Sequence, residues 1–162
     1  MRGSTTVWAV AKTSAGILLY RGEGESLEVL LIHPGGPFWT KKDEGAWSIP
    51  KGEVDEGEEP LVCALRELEE ELGSSLGLTA KHLSGLGEVR LKSGKRVQGW
   101  AAEGEFDPAD LRSNTFAMEW PPRSGKEQEF PEVDRAEWFS PSQAREKINP
   151  AQVAFIDRLL ER

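Results

Sequence analysis

The chain has 162 residues, 38% of them hydrophobic, enough for one buried core, and no compositional break marks a second, so it reads as a single domain over 1–162. A formal charge of −8 argues against unspecific attraction to nucleic acid or to an anionic membrane, because the long-range field repels phosphate unless a metal or a basic pocket reverses it locally. The lone cysteine, Cys63, rules out an internal disulfide and fits a reducing, cytoplasmic setting.

Residues 1–13 read as a leader. Its apolar run, Val7 to Ala11, stops at Lys12 and is too short for a signal-peptide core, and no later run approaches membrane-spanning length. "AGILLYR" (Ala15 to Arg21) and "LEVLLIH" (Leu27 to His33) are predicted strands separated by the turn-rich "GEGES", a hairpin pattern. From Pro34 to Ala46 the glycines and prolines of "PGGPFWTKKDEGA" forbid regular structure, and loops of this length are uncommon unless they bind something.

After "WSIPKG" comes a segment, Gly52 to Gly73, with nine Asp or Glu residues and one basic side chain, Arg66. Pro60 suits the first turn of a helix and Gly73 its end, and Leu61, Leu65, Leu68 and Leu72 recur at helical spacing, a stripe that must face the core. "GEVRLKSGKRVQGWAAEGEF" (Gly87 to Phe106) resembles two strands joined around Ser93-Gly94. Asp107 to about Pro131 is expected to be irregular; "VDRAEWFS" (Val133 to Ser140) alternates like a strand, and Ser140 to Ile148 and Ala151 to Leu160 look helical, with Pro150 between them. Interleaved strands and helices predict a layered α/β or α+β domain.

The charge-rich helix poses a physical problem. Glu67, Glu70 and Glu71 share a face at spacings of three and four and are expected to project opposite the leucine stripe, too far from the helix start for its dipole to offset their repulsion. A divalent cation solves it. Hard oxygen ligands suit Mg²⁺ or Mn²⁺, which keep several waters and share their remaining positions with substrate phosphates.

Gly52, then Glu58, then Arg66-Glu67-Leu68, Glu70-Glu71 and Gly73, in this spacing, is similar to the signature box of the Nudix hydrolases, with Ser74 the one departure, where the family has a bulky aliphatic residue. The resemblance covers roughly residues 14–160. It implies the Nudix fold, a mixed β-sheet sandwiched between α-helices, and hydrolysis of a nucleoside diphosphate linked to another group, with divalent metal. By the same resemblance Glu67, Glu70 and Glu71 are the metal ligands, joined by the backbone near Lys51-Gly52, and Arg66 pairs with Glu58 to pin the loop against the helix. The general base is a box glutamate, Glu70 first, or one from a later loop, Glu129, with Glu127 behind it. Nucleoside triphosphates and dinucleoside polyphosphates are the expected substrates, ADP-ribose or nucleotide sugars the alternative; a catalytically silent nucleotide-sensing module is the rival class, and a homodimer is the oligomer the family suggests.

Specificity should come from loops around this centre. Aromatic faces can stack on a base and cations can hold phosphates, which selects Trp39, Lys41 and Lys42 in the first loop, and Phe116, Trp120, Arg123 and Lys126 in the second. Lys51, a cation beside the metal loop, is a candidate to meet a phosphate oxygen. His33 reads as a hydrogen-bonded structural histidine, with ligand or base as its alternative; Trp47 reads as packing, Cys63 as a small packing residue, and His82 has no context.

Overall fold

The structure, a computed structural model, describes residues 12–162, so the expected leader up to Ala11 lies outside the described residues. Its strands and α-helices follow in the order β1 (Thr13–Arg21), β2 (Glu28–Pro34), β3 (Lys51–Glu53), α1 (Pro60–Leu72), β4 (Ser84–Arg90), β5 (Arg96–Glu103), β6 (Thr115–Glu119), β7 (Glu127–Pro131), β8 (Val133–Phe139), α2 (Pro141–Lys147) and α3 (Val153–Leu160). No helix among the described residues is long and apolar enough to cross a membrane.

β1 and β2 are apolar without alternation, the pattern of strands covered on both faces. Ile17, Leu19, Leu30 and Ile32 pack on Cys63, Ala64, Leu68 and Leu72 of α1. On the other face Leu18, Val29 and Leu31 pack on Ala144, Phe155, Ile156 and Leu159 of α2 and α3. The result is the expected mixed sheet between helices.

The main sheet runs β4-β5-β1-β2-β8, with β3 attached to β1. One edge of β1 is parallel to β5 from Thr13 to Tyr20; the other changes partner, meeting β3 at Ser14 to Gly16 and β2 only at Tyr20 and Arg21. The expected β1–β2 hairpin is therefore real but short, because β2 pairs along its length with β8. The divided edge of β1 brings Lys51–Glu53 beside α1, where the acidic segment begins.

α1 has Pro60 in its first turn and ends at Gly73, whose φ of 75° is the left-handed conformation glycine tolerates best, with its N–H on the Glu69 carbonyl at 2.7 Å. The buried stripe is rotated from the one expected. Cys63 and Ala64 are buried with Leu68 and Leu72, whereas Leu61 and Leu65 are half-buried. Glu67 and Glu71 consequently lie on the flank of the buried face, half-buried themselves, instead of opposite it.

A second correction concerns Asp107 to Pro131. This stretch contains the β6–β7 hairpin, paired from Thr115 opposite Pro131 to Glu119 opposite Glu127 and lying off the main sheet. Nearly all its residues are exposed, on both faces, so no alternation of apolar with polar marks it in the sequence.

Candidate active site

Arg66 organises the acidic segment. Its Nε and Nη2 donate to the two carboxylate oxygens of Glu58 at 2.8 and 2.9 Å, and its Nη1 donates to Glu67 and Glu70, each at 2.9 Å. These bonds hold the Glu58 carboxyl down to about 2. Glu58 in turn accepts from the Asp55 N–H at 3.0 Å, fastening the loop before α1 to the helix. Cys63 does more than fill space: its Sγ lies 3.5 Å from the carbonyls of both Gly52 and Glu53.

Gly52 faces the helix so closely that the Glu67 carboxylate occupies the space a side chain would take. A Cβ there would stand 2.0 Å from Cδ of Glu67 and 2.2 and 2.3 Å from its oxygens. One residue earlier, the Lys51 N–H donates to Glu71 at 3.1 Å. Burial pushes the Glu71 carboxyl up to about 8. Glu67 is also raised, by burial first and by Glu70 second, and burial lowers the Lys51 ammonium while Glu71 opposes that shift.

Glu67, Glu70 and Glu71 line one cavity of about 160 Å³ with Ser113, Asn114 and Glu132. The late-loop carboxylate that the structure brings here is Glu132, not Glu129. Glu129 sits on β7 opposite Ala117, exposed and away from the cavity lining, as does Glu127 opposite Glu119. The hairpin decides this: the chain leaves β7 at Pro131, and the Glu132 N–H is held by the Asn114 carbonyl at 2.8 Å. Sequence reasoning missed Glu132 because nothing in its neighbourhood distinguishes it from the two glutamates before it.

Glu71 and Glu132 also wall a second cavity of about 260 Å³, lined further by Trp39, Trp47, Lys51, Leu91, Asn149 and Gln152. Trp39 and Lys51 thus share a space next to the carboxylates, and Trp39 is 38% exposed with the Lys42 ammonium 5.0 Å from its ring. Lys41 and Lys42 are exposed on the same loop. Trp120 meets Phe38 edge to face at 5.5 Å, and the Phe116 ring lies against Gly36, so both join the hairpin to the first loop without lining either cavity. Arg123 and Lys126 are exposed in the hairpin's connecting segment, also outside these linings. A larger open cavity of about 680 Å³ elsewhere contains Arg21, but that cation is already paired with Glu28 and Glu105 at 3.0 and 2.9 Å and is not free for phosphate.

The residues fit a divalent cation in chemistry and in space. Their donors are hard carboxylate oxygens around one cavity, and the missing Cβ of Gly52 leaves room for the Glu67 carboxylate that any other residue would occupy. Among the described residues no three acid, histidine or cysteine side chains converge on a metal-holding point. Glu67 and Glu70 both pair with the Arg66 guanidinium, each at 2.9 Å.

A layered fold with an acidic helix packed against a glycine-bearing strand defines a class, and sequence comparison gives it a name. The family model of the NUDIX domain matches residues 10–159, so the chain belongs to the Nudix family. It is 36% identical over 104 residues to an RNA pyrophosphohydrolase of Rhizobium meliloti (strain 1021), covering 57% of each chain. It is 35% identical over 112 residues to an 8-oxo-(d)GTP phosphatase of Mycolicibacterium smegmatis, covering 60% of this chain and 31% of that one. The chain thus spans less than two thirds of the length of these relatives. Among solved structures, the Ap4A hydrolase of C. elegans in a binary complex superposes with a TM-score of 0.61 at 22% identity, over 91% of this chain and 96% of that one. The NUDIX domain of Shewanella oneidensis NrtR complexed with ADP ribose has a TM-score of 0.61 at 16% identity, over 98% and 93%. At these identities the likeness is one of fold.

Proposed function

We propose that this chain is a pyrophosphohydrolase of the reducing cytoplasm that cleaves a nucleoside diphosphate linked to another moiety, foremost a nucleoside triphosphate or dinucleoside polyphosphate, with Mg²⁺ as cofactor and Mn²⁺ able to replace it. The observation that carries this reading is the cavity walled by Glu67, Glu70, Glu71 and Glu132, immediately beside a space containing Lys51 and Trp39. Glu67, Glu70 and Glu71, with the backbone carbonyl of Gly52, would hold the cation. When bound, the divalent ion neutralises the diphosphate, polarises the scissile bond and lowers the pKa of the attacking water.

The protein's own residues do the rest. Arg66 and Glu58 orient the helix carboxylates against the loop. Glu70, the most exposed of the three ligands, is the first candidate to accept the proton of the attacking water, and Glu132 takes the place of Glu129 as the candidate from the later segment. The half-buried Lys51, beside Glu71 in the second cavity, is placed to meet a phosphate oxygen. Trp39 offers its face to the base. Lys42 stands over the Trp39 ring, while Lys41, Trp120, Arg123 and Lys126 stand outside the cavity linings, within reach of a longer substrate.

The test is a panel of nucleoside triphosphates, diadenosine polyphosphates, ADP-ribose and nucleotide sugars incubated with Mg²⁺, with the phosphate-bearing products identified. Turnover of at least one, abolished by EDTA and reduced on the order of 10²-fold in Glu70→Gln, is expected. Equal activity in Glu67→Gln, Glu70→Gln and Glu71→Gln would reject the metal site.

A further inference from the structure

His33 is the last inward-facing residue of β2, 3% exposed, and each of its ring nitrogens meets an oxygen acceptor. Nδ1 lies 2.8 Å from the Asp134 carboxylate, and Nε2 lies 2.6 Å from the Lys42 carbonyl. A buried ring with an oxygen against each nitrogen joins two segments, and here they are the two walls of the Trp39 cavity. Lys42 closes a turn in which its N–H bonds the Trp39 carbonyl at 2.9 Å and the Trp39 N–H bonds the Gly36 carbonyl at 3.2 Å. Asp134 lies two residues beyond Glu132, which lines the same cavity as Trp39.

The backbone is altered at this point in a way that produces the contact. The β2–β8 ladder slips between His33 and Pro34: His33 stands opposite Arg135, but Pro34 stands opposite Val133, leaving Asp134 with no partner across the ladder. In an unbroken ladder Asp134 would alternate to the face opposite Arg135, and therefore opposite His33. The extra residue re-aims its carboxylate toward the ring, which is the use bulges have beside functional sites.

We propose that His33 is a positioning residue for the nucleoside end of the site: through its bond to Lys42 it holds the Trp39 turn across the cavity from Glu132, with Asp134 steadying the ring. It touches no reacting atom. The assignment to substrate binding rests on the functional reading above, whereas the strut itself rests on geometry alone.

Two substitutions separate the ends of the strut. The amide nitrogen of His33→Asn falls where Nδ1 stands and keeps a donor toward Asp134, while that of His33→Gln falls where Nε2 stands and keeps one toward Lys42. Hydrogen exchange of the Trp39 and Lys42 amides should quicken about tenfold in His33→Asn and stay near the parent rate in His33→Gln. Affinity for a non-hydrolysable probe, α,β-methylene-ADP with Mg²⁺, and KM for whichever nucleotide is turned over should both weaken about tenfold in His33→Asn, with kcat within about twofold and His33→Gln restoring both. In a Trp39→Ala background His33→Asn should add little.

A purely structural histidine predicts otherwise, since both variants lose the ring's edge contact with Trp47, at 5.1 Å, and would lower the melting temperature and affinity alike. Parent-like exchange of the two amides in His33→Asn overturns the strut. Quickened exchange with unchanged KM and probe affinity overturns its role in binding. If the parent neither binds the probe nor hydrolyses any nucleotide, the hydrolase reading is what falls, and the exchange rates alone decide whether His33 sets the loop.

Discussion

Arg66 holds Glu58 through two nitrogens, at 2.8 and 2.9 Å, while its remaining terminal nitrogen donates to Glu67 and Glu70. One guanidinium thus spans the loop, the helix and two of the proposed metal ligands. A planar fork can do this; a lysine, with a single charged nitrogen, cannot reach all three carboxylates in fixed directions. Arg66→Lys should therefore lower kcat/KM by about tenfold or more, with most of the fall in kcat. Steady-state kinetics check this, and circular dichroism should show the helix retained.

Gly52 separates function from stability unusually well. The group a Cβ would strike is the end of the flexible Glu67 side chain, which can swing aside without disturbing the core. Gly52→Ala should leave the melting temperature nearly unchanged yet reduce turnover on the order of 10²-fold, because a ligand displaced by about an ångström no longer aligns the reacting groups. Calorimetric titration with Mn²⁺ should show weakened binding in the same variant.

The two late glutamates can be told apart directly. Glu132 lines the carboxylate cavity and Glu129 is exposed on β7. Glu132→Gln should cost about tenfold or more in kcat, whereas Glu129→Gln should stay within about twofold of the parent. The reverse order in initial-rate measurements would return the role to the hairpin.

Glu71 makes a signed prediction about pH. Its folded carboxyl is pushed by burial from an ordinary 4.5 to about 8. Between those values the folded state binds a proton that the unfolded state has released, so in EDTA stability is highest below about pH 4.5, as far as this group is concerned, and declines as pH rises through about 8. Each tenfold change in the ionisation constant corresponds to about 1.4 kcal/mol. Glu71→Gln removes that slope, so in urea unfolding at pH 8 without metal the variant should be more stable than the parent. Added Mg²⁺ should reverse the order, by stabilising only the chain that still has the carboxylate.

What could be read from residues in order was whatever depends on near neighbours. The helix from Pro60 to Gly73 follows from its proline, its glycine and leucines three and four apart, and the acidic box from a spacing that a helix converts into one face. β1 and β2 follow from unbroken apolar runs. His33 could be seen as a bonded histidine, but neither of its partners could be named.

Tertiary pairing settled the remainder. Glu132 lines the cavity and Glu129 does not, because an exposed hairpin with no polarity pattern determines where the chain re-enters it. Asp134 reaches His33 through a one-residue slip between β2 and β8, and such a slip sends a side chain to the other face of a sheet without changing any local signal. Glu71, indistinguishable from Glu70 in charge and spacing, is the glutamate buried against the Lys51 backbone, because α1 turns its Cys63–Ala64 side into the sheet and takes that flank with it. Local chemistry chose the parts, and long-range packing chose which of several equivalent carboxylates face one another.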